Sequence, residues 1–81
     1  MVVLELIYRD YEFEERVFSI IFEEDVSETD IVNKMITSFN LTRDYCEKLA
    51  SILLRKGFYE NEYHTFTLEM KNTVKKEHIN G

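Results

Sequence analysis

Alternation of apolar and polar residues predicts two β-strands near the start of the chain. The segments 3–9 and 17–22 both carry apolar side chains at a period of two residues, which is typical of a strand with one buried face. We expect the two strands to pair as an antiparallel hairpin, connected through a bulge near Glu14 and Glu15 or through a looser turn. The residues predicted to face the core are Leu4, Leu6 and Tyr8 in the first strand and Phe18, Ile20 and Phe22 in the second.

Two helices are predicted next, and each has its own start and stop signals. Ser27 is a good N-cap for a helix that runs to about Phe39, where Asn40 is a reasonable terminator. A second helix begins after Thr42, and Gly57 supplies the left-handed residue that ends it. The apolar residues within both segments recur at helical spacing, so each helix should bury one face.

A third strand is predicted over 64–70, after a turn formed by "FYENEY". The fold class expected is therefore α+β, in the order ββααβ, with both helices on one face of the sheet and the third strand beside the first. Residues 1–72 should form a single domain, and the polar segment 73–81 should be a frayed tail.

Charge narrows the kind of partner that the chain can bind. The formal net charge is −6, and the first thirty residues hold ten acidic side chains against only two arginines. Such an imbalance opposes direct binding of nucleic acid or anionic lipid and favours a basic protein partner. The alternative is that the acidic residues only keep a small domain soluble.

Candidate catalytic and metal-binding residues are sparse. Cys46 falls on the apolar stripe of the second helix, and neither His64 nor His78 has a neighbour at ligand spacing. The lone cysteine excludes an internal disulfide and favours a reducing, cytoplasmic location, in keeping with the absence of a long apolar segment or a signal peptide. We therefore expect neither an enzyme nor a metal or cofactor site.

Two groups of carboxylates are the candidate partner-binding residues. The tip acids, at the turn of the hairpin, are Asp10, Glu12, Glu14 and Glu15. The corner acids, where the second strand leads into the first helix, are Glu23, Glu24 and Asp25. If both groups lay on one face, they could imitate the phosphates of a DNA duplex and occupy the basic groove of a nucleic-acid-binding protein.

Two segments add a resemblance to a known family. The runs "SETDIVNKMITSF" at 27–39 and "FYENEYHTFTLEMKN" at 58–72, together with the acidic hairpin, resemble small acidic phage-encoded anti-CRISPR proteins. Those proteins block a type II CRISPR effector nuclease by imitating its PAM duplex. The resemblance implies that the tip acids would face the arginines that read the PAM. The matching positions are Glu28, Ile31, Val32, Lys34, Ile36 and Phe39, then Phe58, Tyr59, Thr65, Thr67 and Leu68.

A structural or assembly role is the alternative function. A three-stranded sheet leaves its edges open, and Val17 and Ile21 fall on the face turned away from the helices. Under this hypothesis the protein associates with itself, as a homodimer, through a sheet edge or through that outer face.

Overall fold

A computed structural model describes residues 2–72 of the chain. Its elements in chain order are β1 (Val2–Asp10), β2 (Arg16–Glu23), α1 (Glu28–Phe39), α2 (Arg43–Lys56), β3 (Phe58–Glu60) and β4 (His64–Asn72). The predicted tail at 73–81 lies outside the described residues. Among the described helices, none is long and apolar enough to cross a membrane.

The strands form one antiparallel sheet in the order β2-β1-β4-β3. The α+β fold is confirmed, and β4 lies beside β1 as predicted. The prediction of three strands was incomplete, because Phe58–Glu60 forms the short edge strand β3 rather than a turn. Three residues are too few to show an alternating pattern, and they pair only because Gly57 directs the chain back along β4.

Both helices begin and end where the capping residues predict. The Ser27 hydroxyl accepts a hydrogen bond from the backbone N–H of Asp30 at 3.1 Å, and Thr42 caps the second helix in the same way. Asn40 and Gly57 adopt left-handed backbone angles, with φ of 59° and 76°. A Cβ atom on Gly57 would lie 3.2 Å from the carbonyl oxygen of Leu68, so this position favours glycine for two reasons.

The core lies between the two helices and one face of the sheet. Leu6 and Phe66, on neighbouring strands, are completely buried, and the Tyr8 ring stacks on the Phe66 ring with 4.6 Å between centroids. Phe18 stacks on the other side of Tyr8 at 5.5 Å. The side chains that strand alternation assigned to the core therefore do face the helices, although Leu4 and Phe18 are only partly buried.

The hairpin connection is the looser of the two alternatives expected. The β1–β2 register runs without a bulge from Val3 opposite Glu23 to Asp10 opposite Arg16, and residues 11–15 form a separate loop. Within residues 2–72, no helix covers the opposite face of the sheet. Val17 and Ile21 lie there with exposed fractions of 52% and 57%.

Replacing Phe66 with alanine should lower the free energy of unfolding by about 3–5 kcal/mol, because a buried aromatic ring is lost from the centre of the core. Urea denaturation monitored by circular dichroism measures the change. The control is Phe13→Ala, which removes a ring that is 85% exposed and should leave stability nearly unchanged. Equal losses in both variants would contradict the assignment of Phe66 to the core.

Candidate functional site

The tip acids and the corner acids lie at opposite ends of β2. An eight-residue strand extends for about 25 Å, so side chains that flank its two ends cannot share one small patch. The two groups therefore do not form one compact acidic patch. The corner acids are all exposed: Glu23 ends β2, and Glu24 and Asp25 lie in the turn before α1. The backbone N–H of Val26 closes this turn by donating to the carbonyl of Glu23 at 3.1 Å.

Asp10 is a buried carboxylate rather than an exposed contact residue. Only 8% of the residue is exposed. Its Oδ1 accepts a hydrogen bond from the backbone N–H of Glu12 at 3.0 Å, and its Oδ2 accepts one from Arg16 at 3.2 Å. The pKa of Asp10 is held below its usual range, chiefly by the hydrogen bond from the Glu12 N–H. Arg16 and the nearby His64 lower it further. Asp10 therefore shapes the loop and is not free to bind a partner.

The other three tip acids are accessible. Glu15 pairs with Arg9 at 2.8 Å, but both side chains are about half exposed, so the pair is weak and can exchange partners. Glu12 and Glu14 are exposed and form no ion pair with any residue in the range 2–72. Among the predicted site residues at the tip, Glu12 and Glu14 are therefore the carboxylates most accessible to a partner.

Aromatic residues are the component of this site that the sequence reasoning missed. Phe13 is 85% exposed between Glu12 and Glu14, and Tyr11 and Tyr63 are each nearly half exposed. The signal was present in the sequence, because Tyr11 and Phe13 break the alternation of the core-facing residues. We call Tyr11, Glu12, Phe13, Glu14 and Tyr63 the tip surface.

Main-chain and side-chain hydrogen bonds hold the two loops of the tip surface together. The backbone N–H of Tyr11 donates to the carbonyl of Tyr63 at 2.8 Å, which joins the hairpin loop to the loop before β4. The Asn61 side chain accepts hydrogen bonds from the backbone N–H groups of Tyr63 and His64 at 3.0 and 2.9 Å. The loops are therefore braced before any partner arrives.

A polar network lies beneath the tip surface. The amide of Asn61 donates to the Tyr45 hydroxyl at 3.0 Å, and that hydroxyl is 3.0 Å from Nδ1 of His64. On the adjacent strand, burial and then the charge of Asp10 raise the pKa of Tyr8 to about 12. Tyr8 is therefore a neutral phenol at physiological pH. The hydrogen bonds among Asn61, Tyr45 and His64 connect the loop before β4 to α2.

Among the described residues, Asp10, Glu12 and His64 are the group whose ligand atoms come close enough to hold a metal ion, all within 4.8 Å of one another. Both oxygens of Asp10 already accept hydrogen bonds, and Arg16 places a positive charge on one of them. The positive charge of Arg16 therefore disfavours a cation at this position. Cys46 is fully buried, and burial raises the pKa of its thiol, which disfavours the reactive thiolate.

The lowered pKa of Asp10 predicts a specific dependence of stability on pH. A depressed pKa in the folded state stabilises the fold above the ordinary value of 3.8, and this contribution is lost as the pH falls through the folded-state pKa. Asp10→Asn should therefore be less stable than the parent protein at pH 7, and the difference should shrink below pH 3.8. Urea denaturation across this pH range measures the difference. Glu14→Gln is the exposed control, and a difference for Asp10→Asn that does not depend on pH would contradict the assignment.

The chain was compared with protein-family models, curated proteins and solved structures, and none of the three comparisons found a match. The resemblance to anti-CRISPR inhibitors therefore stays a prediction.

Proposed function

We propose that this chain is a non-catalytic inhibitor or adaptor that binds a basic protein surface through its tip surface. The observation that supports the proposal most is Phe13, an almost fully exposed aromatic residue on a braced loop. It lies between two exposed carboxylates that form no ion pair within residues 2–72. Large aromatic residues are enriched among the few residues that dominate the free energy of protein–protein binding. Exposure of such a residue between charged neighbours is typical of a binding loop.

The chemistry of the tip surface indicates what kind of surface would complement it. Burial of the Phe13 ring in an apolar pocket would contribute about 1.5–3 kcal/mol. Glu12 and Glu14 would form charge-assisted hydrogen bonds with arginine or lysine at the rim of that pocket. The Tyr11–Tyr63 hydrogen bond reduces the entropy lost when the loop is ordered on binding. The complementary surface is therefore an apolar pocket surrounded by cationic side chains.

A basic groove that normally holds nucleic acid offers the required cationic side chains. The proposed partner is accordingly a nucleic-acid-binding protein, and the resemblance of the segments 27–39 and 58–72 favours a type II CRISPR effector nuclease. In this role the protein would be encoded by a phage or another mobile element and would act in the cytoplasm of the host cell. Nucleic acid itself would not bind, because the net charge of −6 opposes it.

The double variant Glu12→Gln/Glu14→Gln and the single variant Phe13→Ala should each lose at least about tenfold in affinity, since each removes one component of the tip surface. Melting temperatures should stay close to that of the parent protein, because all three side chains are exposed. The measurement is inhibition of DNA cleavage by a panel of guide-loaded type II effector nucleases, with titrated protein.

The matched control neutralises the corner acids as Glu23→Gln/Glu24→Gln/Asp25→Asn, which removes more charge from a distant surface. This variant should inhibit as the parent protein does. An equal loss in the control would show that overall charge, rather than the tip surface, determines binding. Absence of inhibition by the parent protein across the panel would exclude this class of target.

A further inference from the structure

In the described part of the chain, β2 is an open sheet edge with none of the features that normally protect one. Among residues 2–72 it pairs only with β1, and its eight residues contain no proline and no bulge. Its charged residues, Arg16 and Glu23, stand at its two ends. Proteins usually block such edges with proline, central charges, bulges or very short strands. The opposite edge, β3, is protected by being only three residues long.

We propose that β2 pairs with β2 of a second copy of this chain, antiparallel and about a two-fold axis. In a continuous antiparallel sheet, directly opposed residues point to the same face. The even-numbered residues of β2 face the helices, so they must lie opposite even-numbered residues of the partner strand. Only such registers keep the helices of both copies on one side of the sheet. The even-numbered residues of this edge, including the one that follows the strand, are Arg16, Phe18, Ile20, Phe22 and Glu24. This series is self-complementary under two-fold rotation, with a positive end, an apolar centre and a negative end.

The charges select one register. With the axis at Ile20, each Arg16 lies opposite the partner's Glu24, and each Phe18 lies opposite the partner's Phe22. The Arg16 guanidinium also donates to Asp10 of its own chain, but its side chain is 54% exposed and keeps further N–H groups for the partner's carboxylate. An axis at Ser19 would instead place Glu15 opposite the partner's Glu23, where like charges repel. An axis at Ile21 would place Phe18 opposite the partner's Glu24 and leave no ion pair. The register centred on Ile20 is therefore favoured.

The same register shields part of the exposed outer face. Ser19 lies opposite the partner's Ile21, and Val17 lies opposite the partner's Glu23 and diagonal to the partner's Ile21. Ile21 is 57% exposed and Val17 is 52% exposed in the single chain, so both would lose contact with water. The product is a continuous eight-stranded sheet with all four helices on one side. This self-association does not depend on what the tip surface binds.

Sedimentation velocity across a concentration series tests the association. The parent protein should dimerise, and Ile21→Lys should raise the dissociation constant at least about tenfold, because it places a charge in the new contact. Phe58→Lys is the control, since Phe58 is exposed on the same outer face but lies on the far edge strand. It should leave the constant unchanged. A monomeric parent protein up to about 1 mM would overturn the proposal. An equal loss in Phe58→Lys would also overturn it, since it would indicate that the dimer forms by stacking of the outer faces.

Cross-linking tests the register. Ser19→Cys protein mixed with Ile21→Cys protein and oxidised should form a mixed disulfide dimer, because these positions are directly opposed. The control pairs Ser19→Cys with Ser51→Cys, whose cysteine would be exposed on α2, and should form at least about tenfold less dimer. The native Cys46 is buried and should not react. Equal yields in the two mixtures would overturn the register centred on Ile20.

Discussion

The pairing of β1 on both of its sides is the constraint on which the rest of the structure depends. β1 lies in the middle of the three long strands, with β2 on one side and β4 on the other, and it supplies Leu6 and Tyr8 to the core. Tyr8 stacks between rings from both neighbours, Phe18 and Phe66. The two helices cover this aromatic row, so their positions follow from the alignment of the three long strands.

The same alignment builds the tip surface. Because β1 ends beside the start of β4, the hairpin loop and the loop before β4 meet at one end of the sheet, where Tyr11 and Tyr63 share a main-chain hydrogen bond. Asp10 is the last residue of β1, and its buried carboxylate orders the loop through the N–H of Glu12. The exposed charges of the tip surface are thus positioned by a carboxylate that is itself almost fully buried.

Much of the fold could be predicted from the sequence because its local signals agree with its tertiary structure. Ser27, Thr42 and Gly57 mark helix ends through contacts with residues close in sequence, and strand alternation identified the buried face. The short strand β3 could not be predicted, because its three residues depend on β4 for their pairing.

The candidate site was less predictable because its geometry depends on contacts between residues distant in sequence. Composition identified the carboxylates, but it could not show that β2 separates the tip acids from the corner acids. Nor could it show that Asp10 is buried beside Arg16 and His64. An exposed aromatic residue cannot be distinguished from a core residue by sequence alone. Only the structure shows that the Phe13 side chain is exposed to solvent.

The pairing of β1 with β4 also determines when the sheet can be completed during protein synthesis. These strands come from opposite ends of the described chain, with β2 and both helices made between them. A ribosome therefore releases the hairpin and the helices before the strand that completes the sheet exists. Contacts over such long sequence separations slow folding, because a large loop must close first. The contacts that brace the two loops therefore form only after residues 61–64 have left the ribosome.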